Sequence, residues 1–249
     1  MGTLEDLPSL KIAEAVVDAM YEGRVKFATE PVCSVEGTGA GLLYWECLAR
    51  VSDKCGRILR ASEFVPALEA IGLIRQLDRY VVRRAIALLR ANPCLCLGVN
   101  VSGASAVLDV VWEAMFVDLA TTPDAASRLI VEITETEALE RGGGRQFGDA
   151  LRKAGCRLAV DDYGVGFGIE TAIEVGDPDI VKIDASFLAG IRTGVFEVRR
   201  LAEMVSLASE ISSYVVVEGV ENESDLELAK EAGARWVQGF FFAEGQRFW

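Results

Sequence analysis

One rhythm constrains this chain more than any other feature. Short runs rich in β-branched and aliphatic residues occupy 95–101, 128–134, 157–162, 179–184, 214–219 and 235–240. Between them, apolar residues recur at helical spacing near 104–119, 144–154, 168–176, 195–212 and 223–232. Strand, helix, strand in repetition implies parallel strands joined by crossover helices. These strands are apolar on nearly every residue, as strands buried on both faces must be.

The first third prepares the same architecture. Ile12, Ala15, Val16, Ala19 and Met20 predict a helix over about 9–21. Two extended stretches, 25–35 and 41–51, flank the turn-like Glu36-Gly37-Thr38-Gly39 and read as a hairpin. Ser62 is the expected N-cap of a helix reaching about Ile71, and a second helix should cover 74–90. The hairpin brings the expected strands to eight. That count favours an α/β fold of the closed (β/α)8, TIM-like type over an open sheet. No Pro/Gly/Ser-rich linker interrupts it. Residues 1–249 therefore read as a single domain, with the barrel core at about 10–243.

Each strand ends on a polar residue. Glu46 follows Trp45, Asn100 follows Val99, and Glu132 follows Val131. Asp161 and Asp162 follow Val160, Lys182 follows Val181, Glu218 follows Val217, and Gln238 follows Val237. In a barrel, the C-terminal strand ends share one mouth. One such residue is ordinarily a solvated strand end, but this many in register mark a site.

The chain has no histidine, which removes Ser-His-Asp and Cys-His catalysis and His-ligated zinc. Five clustered carboxylates cannot all stay ionised without a cation. An oxygen-rich set favours Mg²⁺, Mn²⁺ or Ca²⁺. The adjacent pair Asp161-Asp162 can serve two cations, an arrangement suited to in-line displacement at phosphorus, with Lys182 near the attacking water. These residues leave the phosphate ester open. A formal charge of −13 repels nucleic-acid polymers and anionic lipid. No run is long and apolar enough to span a membrane, and no signal peptide is evident. The six cysteines lack C-x-x-C spacing and read as free thiols, mostly buried, in a reducing compartment. A cytoplasmic chain, or a cytosolic domain of a larger protein, is expected.

The ordered motifs resemble those of EAL domains, the cyclic di-GMP phosphodiesterases. Glu46-Cys47-Leu48-Ala49-Arg50 is similar to the signature Glu-Ala-Leu-Leu-Arg. Ser62-Glu63-Phe64-Val65-Pro66, Gly72-Leu73-Ile74, Asn100-Val101-Ser102 and Glu132-Ile133-Thr134-Glu135 follow. Asp161-Asp162-Tyr163-Gly164, Lys182-Ile183-Asp184, Glu218-Gly219-Val220-Glu221 and Gln238-Gly239-Phe240 complete the series. The resemblance implies a barrel with an antiparallel first strand and hydrolysis of cyclic di-GMP to linear pGpG. It implies that Glu46, Asn100, Glu132 and Asp161 bind one Mg²⁺ or Mn²⁺. Asp161, Asp162 and, through water, Glu218 would serve the second. Ca²⁺ is expected to inhibit. Lys182 and Gln238 would position the attacking water, with Glu46 and Glu218 counted among the catalytic groups. Arg50 would meet a phosphate, with Leu48 and Glu30 beside the substrate. Glu135 would anchor the loop after Asp162. Such domains commonly form homodimers beside that loop, and a protein partner on the outer helices is a further expectation.

Every acidic and amide metal position of the family is present, and the departures lie elsewhere. Glu30-Pro31 stands where the family has Gln-Pro, adding negative charge near a dianionic substrate. Cys47 replaces the signature Ala. The family loop Gly-Thr-Gly-Tyr-Ser-Ser-Leu becomes Gly164-Val165-Gly166-Phe167-Gly168-Ile169-Glu170. Hydroxyls are lost at 165, 168 and 169, and Gly168 is expected to loosen the loop. The family's terminal small-residue-then-Pro segment becomes Ala243-Glu244-Gly245. The leading expectation is an active phosphodiesterase. The alternative is a cyclic di-GMP receptor with little or no turnover.

Overall fold

The strands and helices close into a ring in the computed structural model, which describes residues 7–134, 139 and 141–242. Helix α1 (Leu7–Tyr21) precedes the hairpin β1 (Val25–Ser34) and β2 (Leu42–Ser52). Next come β3 (Ile58–Arg60), α2 (Ala61–Ala70), α3 (Ile74–Ala91), β4 (Leu97–Ser102), α4 (Val110–Ala120) and α5 (Pro123–Ala126). They are followed by β5 (Leu129–Thr134), α6 (Gly143–Lys153), β6 (Arg157–Tyr163), α7 (Gly168–Val175) and β7 (Ile180–Ile183). The chain continues through α8 (Ser186–Arg192), α9 (Val198–Ile211), β8 (Tyr214–Val217), α10 (Glu223–Glu231) and β9 (Trp236–Gln238).

Round the barrel the order is β1-β9-β8-β7-β6-β5-β4-β2, and β1–β2 pairing closes the ring. β1 runs antiparallel to both neighbours. The other neighbours in the ring pair in parallel. The expected eight-stranded barrel with an antiparallel first strand is therefore the observed fold. β3 lies outside the ring and pairs with the far end of β2.

Strand alternation divides the barrel side chains into two sets. Val99, Val131, Val160, Val181 and Val217 point outward and join a core with the helices. Trp112 of α4 anchors that core. It packs edge-on to Phe147 at 5.2 Å between centroids and donates its indole N–H to the Ser105 carbonyl at 2.9 Å. Val32, Tyr44, Ile130, Ala159, Ile180 and Val216 form a separate buried layer, with Trp236 against it. These are the inward residues.

Local chemistry explains where the elements differ from expectation. Helix α2 starts before Ser62, because the Arg60 N–H donates to the Glu63 carboxylate at 2.9 Å; Ser62 is not the cap. Helix α4 starts at Val110 because Asp109 accepts the N–H groups of Val111 and Trp112. β3, α5 and α8 are too short for periodicity to register. All six cysteines are free, but only Cys33, Cys47 and Cys156 are buried; Cys55 and Cys94 are exposed.

Asp78 of α3 is buried and accepts the Ser102 N–H at 3.0 Å, tying the helix to the end of β4. Burial pushes its carboxyl up to about 7. A raised folded-state value means the folded chain holds the proton more tightly. The associated stability is complete below about pH 4 and is lost as pH rises through about 7. Asp78→Asn keeps an acceptor without the titration. Unfolding free energies from urea denaturation should match wild type near pH 4 and exceed it near pH 8, by on the order of 2–4 kcal/mol. Equal free energies at pH 8 would contradict this.

Candidate active site

The inward layer places the site. A residue two positions further along a strand lies on the same face. Tyr44 therefore leads to Glu46, Ile130 to Glu132, Ala159 to Asp161, Ile180 to Lys182, Val216 to Glu218 and Trp236 to Gln238. Asn100 pairs with Glu132 across β4–β5. In the antiparallel β1 the direction reverses, so Glu30, two residues before Val32, joins the same layer directly opposite Glu46.

Lys182 sits at the centre, 1% exposed. Its Nζ lies 2.8 Å from Glu132 Oε2, 2.8 Å from Glu218 Oε1, 3.1 Å from Asp161 Oδ1 and 3.4 Å from Glu46 Oε2. Burial disfavours its charge, yet Asp161, Glu132, Glu218 and Glu46 together hold the ammonium well above its usual range. Glu46 Oε1 accepts from Asn100 Nδ2 at 2.6 Å, and Glu46 Oε2 accepts from Gln238 Nε2. Burial works against ionised Glu46, but Lys182, Gln238 and Asn100 outweigh it and hold the carboxyl below the usual range. Glu132, Asp161 and Glu218 are all raised, chiefly by burial. One ammonium does not satisfy this many carboxylates.

Asp162 reaches the mouth by a different route. Alternation alone would turn it away from Asp161. A register shift between Val160 and Tyr163 breaks the β6–β7 ladder, and Asp162 adopts φ +52°. Its carboxylate, with those of Asp161 and Glu218, then offers oxygens within 4.8 Å of one another. Asp tolerates this left-handed conformation better than most residues.

The loop after Asp162 is tightly fitted, contrary to expectation at Gly168. A Cβ on Gly168 would stand 2.5 Å from the Asp162 carbonyl oxygen and 2.9 Å from Tyr163 Cα. Glycine here is a packing requirement and not a source of slack. Gly168→Ser should therefore displace Asp162, lowering stability by about 1–3 kcal/mol and weakening divalent-cation uptake. Val165→Thr alone meets no such obstacle. Thermal melts with and without Mn²⁺ on the two variants check the contrast.

Glu30 is 8% exposed, and burial and the Glu46 carboxylate both raise its carboxyl. Leu48 and Arg50 continue the Glu46 face of β2 past its pairing with β4, both partly exposed. Arg50 pairs directly with Arg60 of β3. Burial and then the Arg60 charge lower the Arg50 guanidinium, with Glu30 and Glu46 opposing. Two like charges directly opposite invite an anion. Arg60 was not singled out from sequence, because three-residue β3 gave no signal. Glu135 and 243–245 lie outside the described residues.

The donors present suit a hard divalent cation. Asn100 Oδ1 is buried without a hydrogen-bond partner, and the carboxylates of Asp161, Asp162 and Glu218 converge. All are oxygen donors, as Mg²⁺ and Mn²⁺ prefer. A cavity of about 980 Å³ opens at the other end of the barrel, beside Ser34, Tyr214, Arg235 and Trp236. Its lining contains one charged residue and no carboxylate, so the chemistry belongs to the mouth.

Fold and site together define a closed (β/α)8-type barrel whose strand ends hold an oxygen-donor cluster. The EAL domain model matches residues 13–245, and the chain belongs to that family. The cyclic di-GMP phosphodiesterase PdeB of Shewanella oneidensis is 27% identical over 241 residues, covering 95% of this chain and 28% of that protein. The cyclic di-GMP phosphodiesterase PdeF of Escherichia coli is 27% identical over 87% of this chain and 29% of its own length. The chain thus spans less than a third of these relatives. The crystal structure of the Xanthomonas citri FimX EAL domain in complex with c-di-GMP superimposes with a TM-score of 0.80 at 21% identity. It covers 96% of this chain and 94% of that one. Among the described residues, no helix is long and apolar enough to cross a membrane.

Proposed function

We propose that this chain is a Mg²⁺- or Mn²⁺-dependent phosphodiesterase that opens cyclic di-GMP to linear pGpG. The observation that carries this reading is the convergence of Glu46, Glu132, Asp161 and Glu218 on one buried cation, Lys182. Glu46, Asn100, Glu132 and Asp161 would hold one ion, and Asp161, Asp162 and, through water, Glu218 the other. The bound pair would neutralise phosphate charge and lower the pKa of the attacking water.

The chain's own groups do the rest. Lys182 donates to the attacking water's oxygen, and the Gln238 amide fixes its direction. Glu218, whose Oε1 lies 2.8 Å from Lys182 Nζ, is placed to accept the water proton. Arg50 and Arg60 clasp a phosphate between them, and Leu48 supplies apolar contact beside it. The family relationship supports cyclic di-GMP as the ester. Exposed Phe167, Ile169 and Ile173 beside the loop support a homodimer there. Free thiols support a cytoplasmic setting.

A second reading, a receptor with little turnover, is favoured by Glu30, whose carboxylate sits in the layer of the Glu46 site. One paired experiment separates the two. Cyclic di-GMP is titrated calorimetrically in Ca²⁺, and pGpG is then followed chromatographically in Mg²⁺ or Mn²⁺. Binding with product supports the phosphodiesterase. Binding without product supports the receptor, and no binding refutes both.

A further inference from the structure

Tyr44 has no part in the reading above, yet it sits directly beneath the site. It precedes Glu46 by two residues on β2, so both side chains point into the barrel. The side chain is fully buried, and its hydroxyl has no hydrogen-bond partner. Glu132 Oε1 is also buried and unpartnered. A donor without an acceptor lies near an acceptor without a donor.

Gly98 shows how close they are. A Cβ at Gly98 would stand 2.1 Å from Glu132 Oε1, 2.5 Å from Tyr44 Cε2 and 2.8 Å from Tyr44 Cδ2. The tyrosine ring edge and the carboxylate oxygen therefore flank one gap, which glycine leaves open. Among the charges acting on the phenol, Glu132 acts most strongly, followed by Lys182, Glu46 and Asp161. Burial and these carboxylates keep the phenol protonated, so it remains a donor at neutral pH.

An unpaired buried hydroxyl destabilises a core, whereas phenylalanine would fill the same volume without that cost. The hydroxyl therefore makes sense in a state where Glu132 has moved. Without a divalent ion, Lys182 holds Glu132 through Oε2 at 2.8 Å. Carboxylates that bind metal are commonly oriented by an outer hydrogen bond on the oxygen the metal leaves free. We infer that Tyr44 is a positioning residue of the cation site: when Glu132 turns to bind a divalent ion, the Tyr44 hydroxyl donates to its remaining oxygen and fixes its orientation. This inference rests on the cation site proposed above and does not depend on the substrate.

The test is Tyr44→Phe in the full chain, read without substrate. In EDTA, the variant should melt at the wild-type temperature or up to about 4 °C higher, because an unpaired buried hydroxyl is gone. Calorimetric titration with Mn²⁺ should give an affinity roughly tenfold or more below wild type. Opposite changes in metal-free stability and metal affinity are not the signature of a packing residue. Unchanged Mn²⁺ affinity, with or without a lower melting temperature, overturns the inference. A wild-type chain that takes up no Mn²⁺ overturns the cation site itself, and the role of Tyr44 with it.

Discussion

Glu46→Ala is expected to abolish pGpG formation, with a loss of roughly 10³-fold or more, equivalent to about 4 kcal/mol of transition-state stabilisation. Glu46 ties β2 to three other strands of the mouth. Glu46 accepts from Asn100 on β4 and Gln238 on β9, and lies within ion-pair distance of Lys182 on β7. Removing the carboxylate takes an oxygen from the proposed ion and releases both amides that fix its neighbours. Calorimetry should accordingly show Mn²⁺ affinity falling as turnover falls. Glu46→Gln sharpens the test. It preserves the side-chain volume and an acceptor for Asn100, yet removes the charge. If charge is what matters, Glu46→Gln fails almost as completely as Glu46→Ala. Retained hydrolysis in either variant would remove Glu46 from the proposed mechanism.

Period-two alternation made most of this site legible in sequence. Glu46, Glu132, Asp161, Lys182, Glu218 and Gln238 each follow an inward residue by two positions, so strand register alone sends them to one mouth. The same rule fails for Asp162. Its inward turn depends on a bulge between Val160 and Tyr163 and on a positive φ, neither of which has a hydrophobic signature. Gly168 was misread for a related reason. Glycine in a loop reads as freedom, but here the backbone of Asp162 occupies the space a side chain would need. Arg60 was invisible because β3 is only three residues long. Tyr44 carries no sequence signal, because its unpaired hydroxyl is a property of packing and not of pattern.

Lys182→Met should separate cation binding from turnover, which Glu46→Ala cannot do. Lys182 is buried among four carboxylates. Methionine fills similar volume but leaves those carboxylates with no cation. In EDTA the cost is expected at about 3–5 kcal/mol, since removing one partner of a buried ion pair leaves uncompensated charge. That corresponds to a melting temperature lower by roughly 6–20 °C. The carboxylates can respond by binding protons, so without the ammonium their folded-state values rise. For carboxyl groups raised by folding, stability is greatest at low pH and is lost as pH rises through the raised values. The EDTA melting curve of Lys182→Met should therefore fall more steeply between pH 5 and pH 8 than that of wild type. A divalent ion supplies the missing charge, so Mg²⁺ or Mn²⁺ should recover most of the lost stability. Turnover should stay low, because no ammonium remains to orient the attacking water. Glu46→Ala loses metal and turnover together, whereas Lys182→Met keeps the first and loses the second. Should metal fail to rescue Lys182→Met, the carboxylates are held together by the lysine as a structural ion cluster. The oxygen-donor reading of the mouth then falls.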